Sequence, residues 1–501
     1  MGGGKSKKIE LTFKLAPSPS RHPRARREER THDASTPADH SRPLGGVPLA
    51  SDHRSRVARY QHLSGVSKIL GTPVGGRRQQ LRRAVPATRF SRGLMPRLPA
   101  KNTVMFLLRN AECFAPQPLG RGDVLVALDK IVWLGTELPS LPASLEVEEI
   151  DLDGYRLIPG LVDCHAHITG GGGETGGARF RVPRQGLSEF TGGGVTTVVG
   201  LLGTDDLTRT TADLVATARG LTEEGITAYC FTGGYHLPAT TLTGSVRGDI
   251  THIDAIIGVG ELALSDHRSS QPTLDELLRI ASDAHVAGLM TGKAGLVHLH
   301  MGDGRRGLSL VRQALDVAEI PARVYNPTHV NRTKALFDEA LELAARGCTV
   351  DLTAFPVADE EDAWSAGEAL LRYLDADLPL DRVTVSSDGG GCLPTFDERG
   401  NPVSMEVASP AAMADCLAGL LRSGAELECV LPAFTSNVAA SLRLPAKGGI
   451  EVGADADLVV MDADGRVRDV MAMGRWHLRE GRAVRYGTFE GRRVGDGKGH
   501  V

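Results

Sequence analysis

Leu157-Ile-Pro-Gly-Leu-Val-Asp-Cys-His-Ala-His167 decides how this chain folds. An apolar run long enough for one strand ends in two histidines two residues apart. On a strand, residues i and i+2 point to the same side, so both imidazoles face one point at the C-terminal end of the run. A lone His-x-His also occurs on ordinary surfaces, so its weight depends on whether partners recur further along the chain.

Downstream, strand-sized apolar runs alternate with helical stretches as far as about residue 440. The runs are Thr196–Leu202, Ala228–Phe231, Ile256–Val259, Leu296–His300, Ala322–Tyr325, Thr349–Leu352 and Val383–Ser386, with helices such as Leu274–Ala287 and Lys334–Arg346 between them. With Leu157–Val162 counted first, eight βα units over about 280 residues predict an α/β fold, a (β/α)8 TIM barrel rather than an open sheet. Shorter strand-like pieces flank this region: Asp123–Leu134 and Val147–Leu157 before it, Ala456–Met461, Val467–Met473 and Arg482–Tyr486 after it. They are expected to pair into one small β-sandwich, so that segments 101–158 and 441–501 flank a barrel over 159–440. No internal repeat of 20–50 residues is visible.

Barrel enzymes keep their active sites at the C-terminal strand ends, and candidate ligands recur there. His165 and His167 close the first run. His300 ends Leu296-Val-His-Leu-His300, His329 lies in Asn326-Pro-Thr-His-Val-Asn-Arg332, and Asp388 follows Val383-Thr-Val-Ser-Ser387. Four histidines and one aspartate at four strand ends supply the imidazole nitrogens and carboxylate oxygens that zinc takes.

From about Met105 onward, over about 390 of its 501 residues, the chain resembles the amidohydrolase superfamily and, within it, the isoaspartyl (β-aspartyl) dipeptidases. The resemblance rests on Pro159-Gly-Leu-Val-Asp-Cys-His-Ala-His167, Gly170-Gly-Gly-Gly-Glu174, Gly200-Leu-Leu-Gly-Thr-Asp205, Thr232-Gly-Gly-Tyr-His236 and Ser265-Asp-His-Arg268. It extends through His300-Met-Gly-Asp303, Pro327-Thr-His-Val-Asn-Arg332, Ser386-Ser-Asp-Gly389 and Gly453-Ala-Asp-Ala-Asp-Leu-Val-Val460. It implies two zinc ions per chain, one on His165, His167 and Asp388, the other on His300 and His329. In many relatives a carboxylated lysine on the fourth strand bridges the ions. Here no lysine occurs between Lys130 and Lys293, and Glu261 in Ile257-Gly-Val-Gly-Glu-Leu-Ala-Leu-Ser-Asp266 already carries two oxygens, so Glu261 is assigned as the bridge. A solvated strand-end glutamate is the plain alternative; Lys293, in a loop-like Gly-Lys-Ala, is the rival.

The implied reaction is attack on an isopeptide carbonyl by hydroxide held between the ions, which lower the pKa of bound water. Asp388 is the expected general base, and Tyr235 the expected donor to the oxyanion. A β-linked aspartyl dipeptide has an α-ammonium and two carboxylates, so it needs one anionic partner and at least one guanidinium. Glu174 is implied for the ammonium, Arg268 and Arg332 for carboxylates, with Thr204 assisting. Packing for Tyr235 and structural ion pairs for the arginines remain open alternatives. Cys392 stands where a small hydroxyl residue is expected, and His236, His267 and His298 are expected to point away from the mouth. Two other outcomes stay open: a cyclic-amide hydrolase (dihydroorotase or hydantoinase type) or N-acyl-amino-acid deacylase, and a non-catalytic scaffold of the same fold.

Charge divides the chain. Residues 1–100 hold 21 Lys and Arg against 6 Asp and Glu, which leaves 36 and 55 for the remaining 401 residues and hides behind a net −4. Segments such as Ser18-Pro-Ser-Arg-His-Pro-Arg-Ala-Arg-Arg27 have no apolar period and are read as a disordered basic extension, with a nucleic-acid or membrane-surface arm, or a transit-like leader, as the alternative. The acidic remainder offers nucleic acid no second surface, and no run reaches the roughly 18–20 apolar residues of a membrane span. Seven scattered cysteines without a Cys-x-x-Cys pair fit a reducing cytoplasm. The resemblance further implies a homo-oligomer, an octamer among the forms it allows.

Overall fold

In the computed structural model, residues 105–490 are described, except 139, 143, 176, 359 and 398–401. The expected extension 1–100 lies outside the described residues. From Met105 the chain forms an antiparallel meander of β1 (Met105–Phe114), β2 (Pro118–Ala127) and β3 (Lys130–Gly135), after which β4 (Val147–Asp151) and β5 (Arg156–Pro159) return parallel to β1.

The run expected as the first barrel strand is divided at Gly160. Its first half is β5; its second half is β6 (Leu161–Ala166), the first strand of the parallel sheet. A Cβ on Gly160 would lie 2.1 Å from the Thr196 hydroxyl, so only glycine lets the chain cross between sheets this close to β7 (Val195–Gly200). The series continues through β8 (Thr227–Thr232), β9 (Ile256–Leu264), β10 (Val297–Met301), β11 (Tyr325–Thr328), β12 (Val350–Thr353) and β13 (Val383–Ser386). Nearly every residue of these strands is buried, the pattern of parallel strands covered on both faces, and it explains why they read as continuous apolar runs. The intervening helices are started by side chains the sequence supplies: Thr273 and Glu276 form a reciprocal cap on Leu274–Thr291, and Gly292 ends that helix with φ +76°. Leu277, Ile280, Ala281, Ala284 and Ala287 make its buried stripe.

Two expectations change. Ala322–Val324 is a 3-10 turn entered from Pro321, and the strand begins only at Tyr325. The eight strands also do not pair as one closed ladder: β6 to β11 form a curled six-stranded half-barrel, while β12 and β13 pair separately. β11 contains Pro327, which has no N–H to give a ladder. Side chains bind the strands there instead. Asp351 on β12 accepts from Thr328 of β11 (2.7 Å) and from Thr384 and Ser386 of β13 (2.6 Å each). At the other gap, Asp163 of β6 accepts from the Ser387 backbone N–H (3.2 Å) and hydroxyl, and Ala166 bridges to Gly389.

After the hairpin β14 (Cys392–Phe396) and β15 (Pro402–Val407), the chain returns to the first sheet with β16 (Leu458–Met461), β17 (Val467–Ala472), β18 (Arg475–Arg479) and β19 (Arg482–Ala483). The terminal segments do join, yet as one mixed nine-stranded sheet rather than two facing ones, in the order β19-β18-β17-β16-β5-β1-β2-β3 with β4 also on β1. Period-two alternation explains its two cores. Leu157, Leu458, Val460 and Met471 pack with Leu108, Val124 and Ile131, while Ile158, Val459, Met461 and Val470 join the barrel core. Each fully buried side chain of this size stabilises by about 1.5–3 kcal/mol. Buried Lys447 adds a polar tie, donating to Asp455 (2.8 Å), Asp457 (2.5 Å) and Thr227 of β8 (2.6 Å).

Candidate metal centre

The strand ends gather every predicted ligand at one point. His165 is the penultimate residue of β6 and His167 comes just after it, Glu261 lies on β9, the fourth strand of the parallel series, His300 on β10, His329 just past β11 and Asp388 just past β13. The Asp388 Oδ1 atom is 3.3 Å from His165 Nε2 and 3.1 Å from His167 Nε2. Glu261 lies among all four rings: Oε1 is 3.4 Å from His167 Nε2, and Oε2 is 3.0 Å from His300 Nδ1, 3.5 Å from His329 Nε2 and 3.7 Å from His165 Nε2. Two compatible donor groups result, His165/His167/Asp388 and His165/Glu261/His329. The first is the expected set; in the second, His165 stands where His300 was expected.

These donors fit a metal. Two atoms each about 2.0–2.2 Å from a tetrahedral ion lie about 3.4 Å apart, close to the spacings found. His165 Nε2, Glu261 Oε1 and Asp388 Oδ1 are buried and have no hydrogen-bond partner, which is costly unless a cation completes them. Burial, then the repulsion of Asp388, pushes the Glu261 carboxyl well above the usual range, a shift that a nearby cation opposes. Burial acts the same way on Asp388, but His165 and His167 outweigh it and hold its carboxyl well below the usual range. Burial holds His300 and His329 well below the usual imidazole range, so they are neutral and able to ligate.

Backbone geometry aims the set. His329 (φ 60°) and Asp388 (φ 54°) both take the left-handed conformation, which costs about 1–3 kcal/mol for a residue with a side chain and turns each one back over the strand ends. At Gly203 a Cβ would lie 2.7 Å from the His167 ring and 3.0 Å from Glu261 Oε1, so a larger residue would displace the cluster. Lys293, the rival bridge, is bound elsewhere: its Nζ donates to the carbonyls of Ile250 and Ile253 at 2.7 Å each.

Beside the ligands lies a charged rim. Tyr235 OH is 2.8 Å from His300 Nδ1 and 3.2 Å from its Nε2. Burial and the negative charge of Glu261 keep this hydroxyl well above its usual range, hence protonated. Arg268 grips Asp266 through two bonds (3.0 and 2.7 Å) and also pairs with Glu174, which accepts from the Thr204 hydroxyl at 2.9 Å. Burial and neighbouring Arg332 bring the Arg268 guanidinium down to about 10. Arg332 is half-buried and its guanidinium has no ion pair or hydrogen bond among the described residues. Cys392 is half-buried, with Asp388 and Arg268 near enough to act on it electrostatically.

Of the three histidines expected to point away, two do. His267 is exposed, and His236 turns to Asp206 (3.0 Å) and the Arg268 carbonyl (3.1 Å). His298 does not: it lies two residues before His300 on the same strand, hence on the same face, and its Nε2 is 2.8 Å from His165 Nδ1. The Val-His-Leu-His spacing carried that signal. Asp266, read as a structural partner for the arginines, does pair with Arg268, but its Oδ2 also lies 3.1 Å from His300 Nε2, which was not foreseen; missed altogether were Thr353 beside His329 Nδ1 (2.7 Å) and the strand-joining Asp351. No motif marks Thr353 or Asp351, because each acts through residues more than 20 positions away in sequence.

The curled parallel sheet with a His/Glu/Asp cluster at its strand ends defines a metal-dependent hydrolase, and residues 156–477 match the amidohydrolase family, to which the chain belongs. Among solved structures it is similar to the β-aspartyl dipeptidase of Fervidobacterium islandicum AW-1, determined in complex with a β-Asp-Leu dipeptide. That enzyme is 41% identical, with a TM-score of 0.72 over 76% of this chain and 98% of the other. The chain is therefore a β-aspartyl-dipeptidase-like amidohydrolase enzyme. More distant likenesses reach an imidazolonepropionase of Serratia proteamaculans, 26% identical over 68% of this chain and 86% of the relative. A deacetylase of Agrobacterium fabrum is also 26% identical, over 68% and 78%.

Proposed function

We propose that the chain hydrolyses the isopeptide bond of β-aspartyl dipeptides with two zinc ions bridged by Glu261. The observation that carries this reading is the rim: apart from Asp266, which anchors Arg268, one carboxylate, Glu174, and two guanidiniums, Arg268 and Arg332, stand beside the ligand cluster to meet one ammonium and two carboxylates. The likeness to a structure holding β-Asp-Leu supports it.

Bound divalent cations supply Lewis acidity and the activation of water. The chain's own groups do the rest. Asp388, held ionised, takes the proton of the attacking water and returns it to the leaving amine. Tyr235, buried and protonated, donates to the oxygen on which charge develops. Glu174 and Thr204 receive the α-ammonium, so Glu174 exchanges its bond to Arg268 for one to substrate; Arg268 stays anchored by Asp266, and Arg332 brings a charge that has no partner among the described residues. The six- and two-stranded sheets act as one distorted (β/α)8 barrel, a reading supported by the side-chain bonds across both gaps.

A panel of β-Asp-Leu, α-Asp-Leu, dihydroorotate and an N-acetyl amino acid tests the substrate: cleavage of β-Asp-Leu alone is expected, and cleavage of only the last two overturns the assignment. Metal analysis tests the cofactor, with well under one zinc per chain as the contrary result. A second reading, an N-acyl-amino-acid deacylase, is favoured by the likeness to the deacetylase. The same proposal includes a cytoplasmic homo-oligomer. The seven free cysteines support the compartment, and exposed Val286, Leu289 and Met290 on one helix support self-association. Among the described residues, no helix is long and apolar enough to cross a membrane.

A further inference from the structure

His298 has no part in the proposed reaction, yet it is fully buried against a ligand. His165 Nδ1 is 2.8 Å from His298 Nε2, and His298 Nδ1 is 2.6 Å from Asn326 Oδ1. The far end of this chain of contacts gives its direction. Asn326 Nδ2 lies 2.8 Å from the Thr349 carbonyl oxygen, which can only accept, so Asn326 turns its NH2 to Thr349 and its oxygen to His298. That oxygen also only accepts, so His298 Nδ1 bears the proton. With that proton on Nδ1, the imidazole's lone pair is left at Nε2, which accepts. His165 Nδ1 is then the donor. Its remaining lone pair, on Nε2, points at Asp388 Oδ1 (3.3 Å) and Glu261 Oε2 (3.7 Å), where the orphaned atoms converge.

The position of His298 is itself built. A Cβ on Gly260 would lie 2.7 Å from the His298 carbonyl oxygen and 2.8 Å from its Cβ, and the Phe231 ring packs on the imidazole at 5.3 Å between centroids. The other ligands are oriented differently. His300 faces the Asp266 carboxylate, and His329 faces the Thr353 hydroxyl, which can donate or accept and so selects no tautomer.

We propose that His298 is a positioning residue that holds His165 in the Nδ1–H tautomer, with Asn326 and the Thr349 carbonyl setting the direction of the relay. This rests on the metal-site reading but not on the identity of the substrate. The test uses the full chain, stripped of metal and labelled with 15N-histidine. Imidazole nitrogen shifts are expected to show both His165 and His298 protonated at Nδ1; a His165 protonated at Nε2 overturns the relay whatever the enzyme cleaves. Zinc affinity, measured by competition with a chromophoric chelator, gives a second readout. His298→Gln retains an acceptor and is expected to stay within about threefold of the parent, while His298→Leu is expected to lose about 10- to 100-fold, the usual effect of removing a ligand's outer partner. Equal losses in the two variants would mean that His298 only fills space, and would overturn the proposal.

Discussion

The ligand cluster and the charged rim lie side by side yet solve opposite problems. In the cluster, nitrogen and oxygen atoms converge with lone pairs left over: His165 Nε2, Glu261 Oε1 and Asp388 Oδ1 are buried without partners. In the rim, Glu174, Arg268, Asp266 and Thr204 satisfy one another. The cluster is organised to receive cations, while the rim must exchange an internal ion pair for an external one. Changes to the cluster should therefore remove chemistry outright, and changes to the rim should weaken binding by the smaller difference between two paired states.

The widest separation is expected at Glu261. Glu261→Ala should lose metal and with it measurable turnover; an Ala variant with full zinc and full activity would take Glu261 out of the site. Glu261→Lys should recover activity only where CO2 is supplied to carboxylate the new amine. Asp388→Asn should lower kcat by about 10²- to 10⁴-fold, the usual contribution of a positioned proton acceptor. Tyr235→Phe should cost about 10²- to 10³-fold in kcat with metal content unchanged, as for an oxyanion donor; a rise in KM alone would move Tyr235 into substrate binding. At the rim, Glu174→Gln should act on KM for β-Asp-Leu. The loss of a charged hydrogen bond, about 1.5–3 kcal/mol, lowers kcat/KM by about 10- to 150-fold. A Glu174→Gln enzyme as inactive as Glu261→Ala would break the distinction between the two regions. The smallest effect is expected from starting the chain at Met105, which should leave kcat/KM for β-Asp-Leu unchanged because every candidate group lies beyond it.

The ligands were legible because each sits at or near the end of an apolar strand, and a parallel sheet brings strand ends to one side wherever each strand falls in the order. Glu261 was legible through an absence, since no lysine was available on the fourth strand. Alternation also marked the flanking strands as half-buried, but it cannot say which strands are neighbours; the single mixed sheet depends on β5 pairing with β16 across about 300 residues. The expected closed ladder is open at two gaps: beside β11, where Pro327 has no N–H to give, Asp351 joins the strands, and between β13 and β6 Asp163 does so.

Composition, strand periodicity and the placement of His165, His167, Glu261, His300, His329 and Asp388 thus belong to the sequence, because they depend only on neighbours along the chain. Their orientation does not. Whether Asp266 faces His300, whether Arg268 is paired or free, and which nitrogen of His165 faces the site depend on contacts between residues from 2 to 133 positions apart. A hydrogen bond has a donor end and an acceptor end, and only packing in three dimensions decides which atom stands at each.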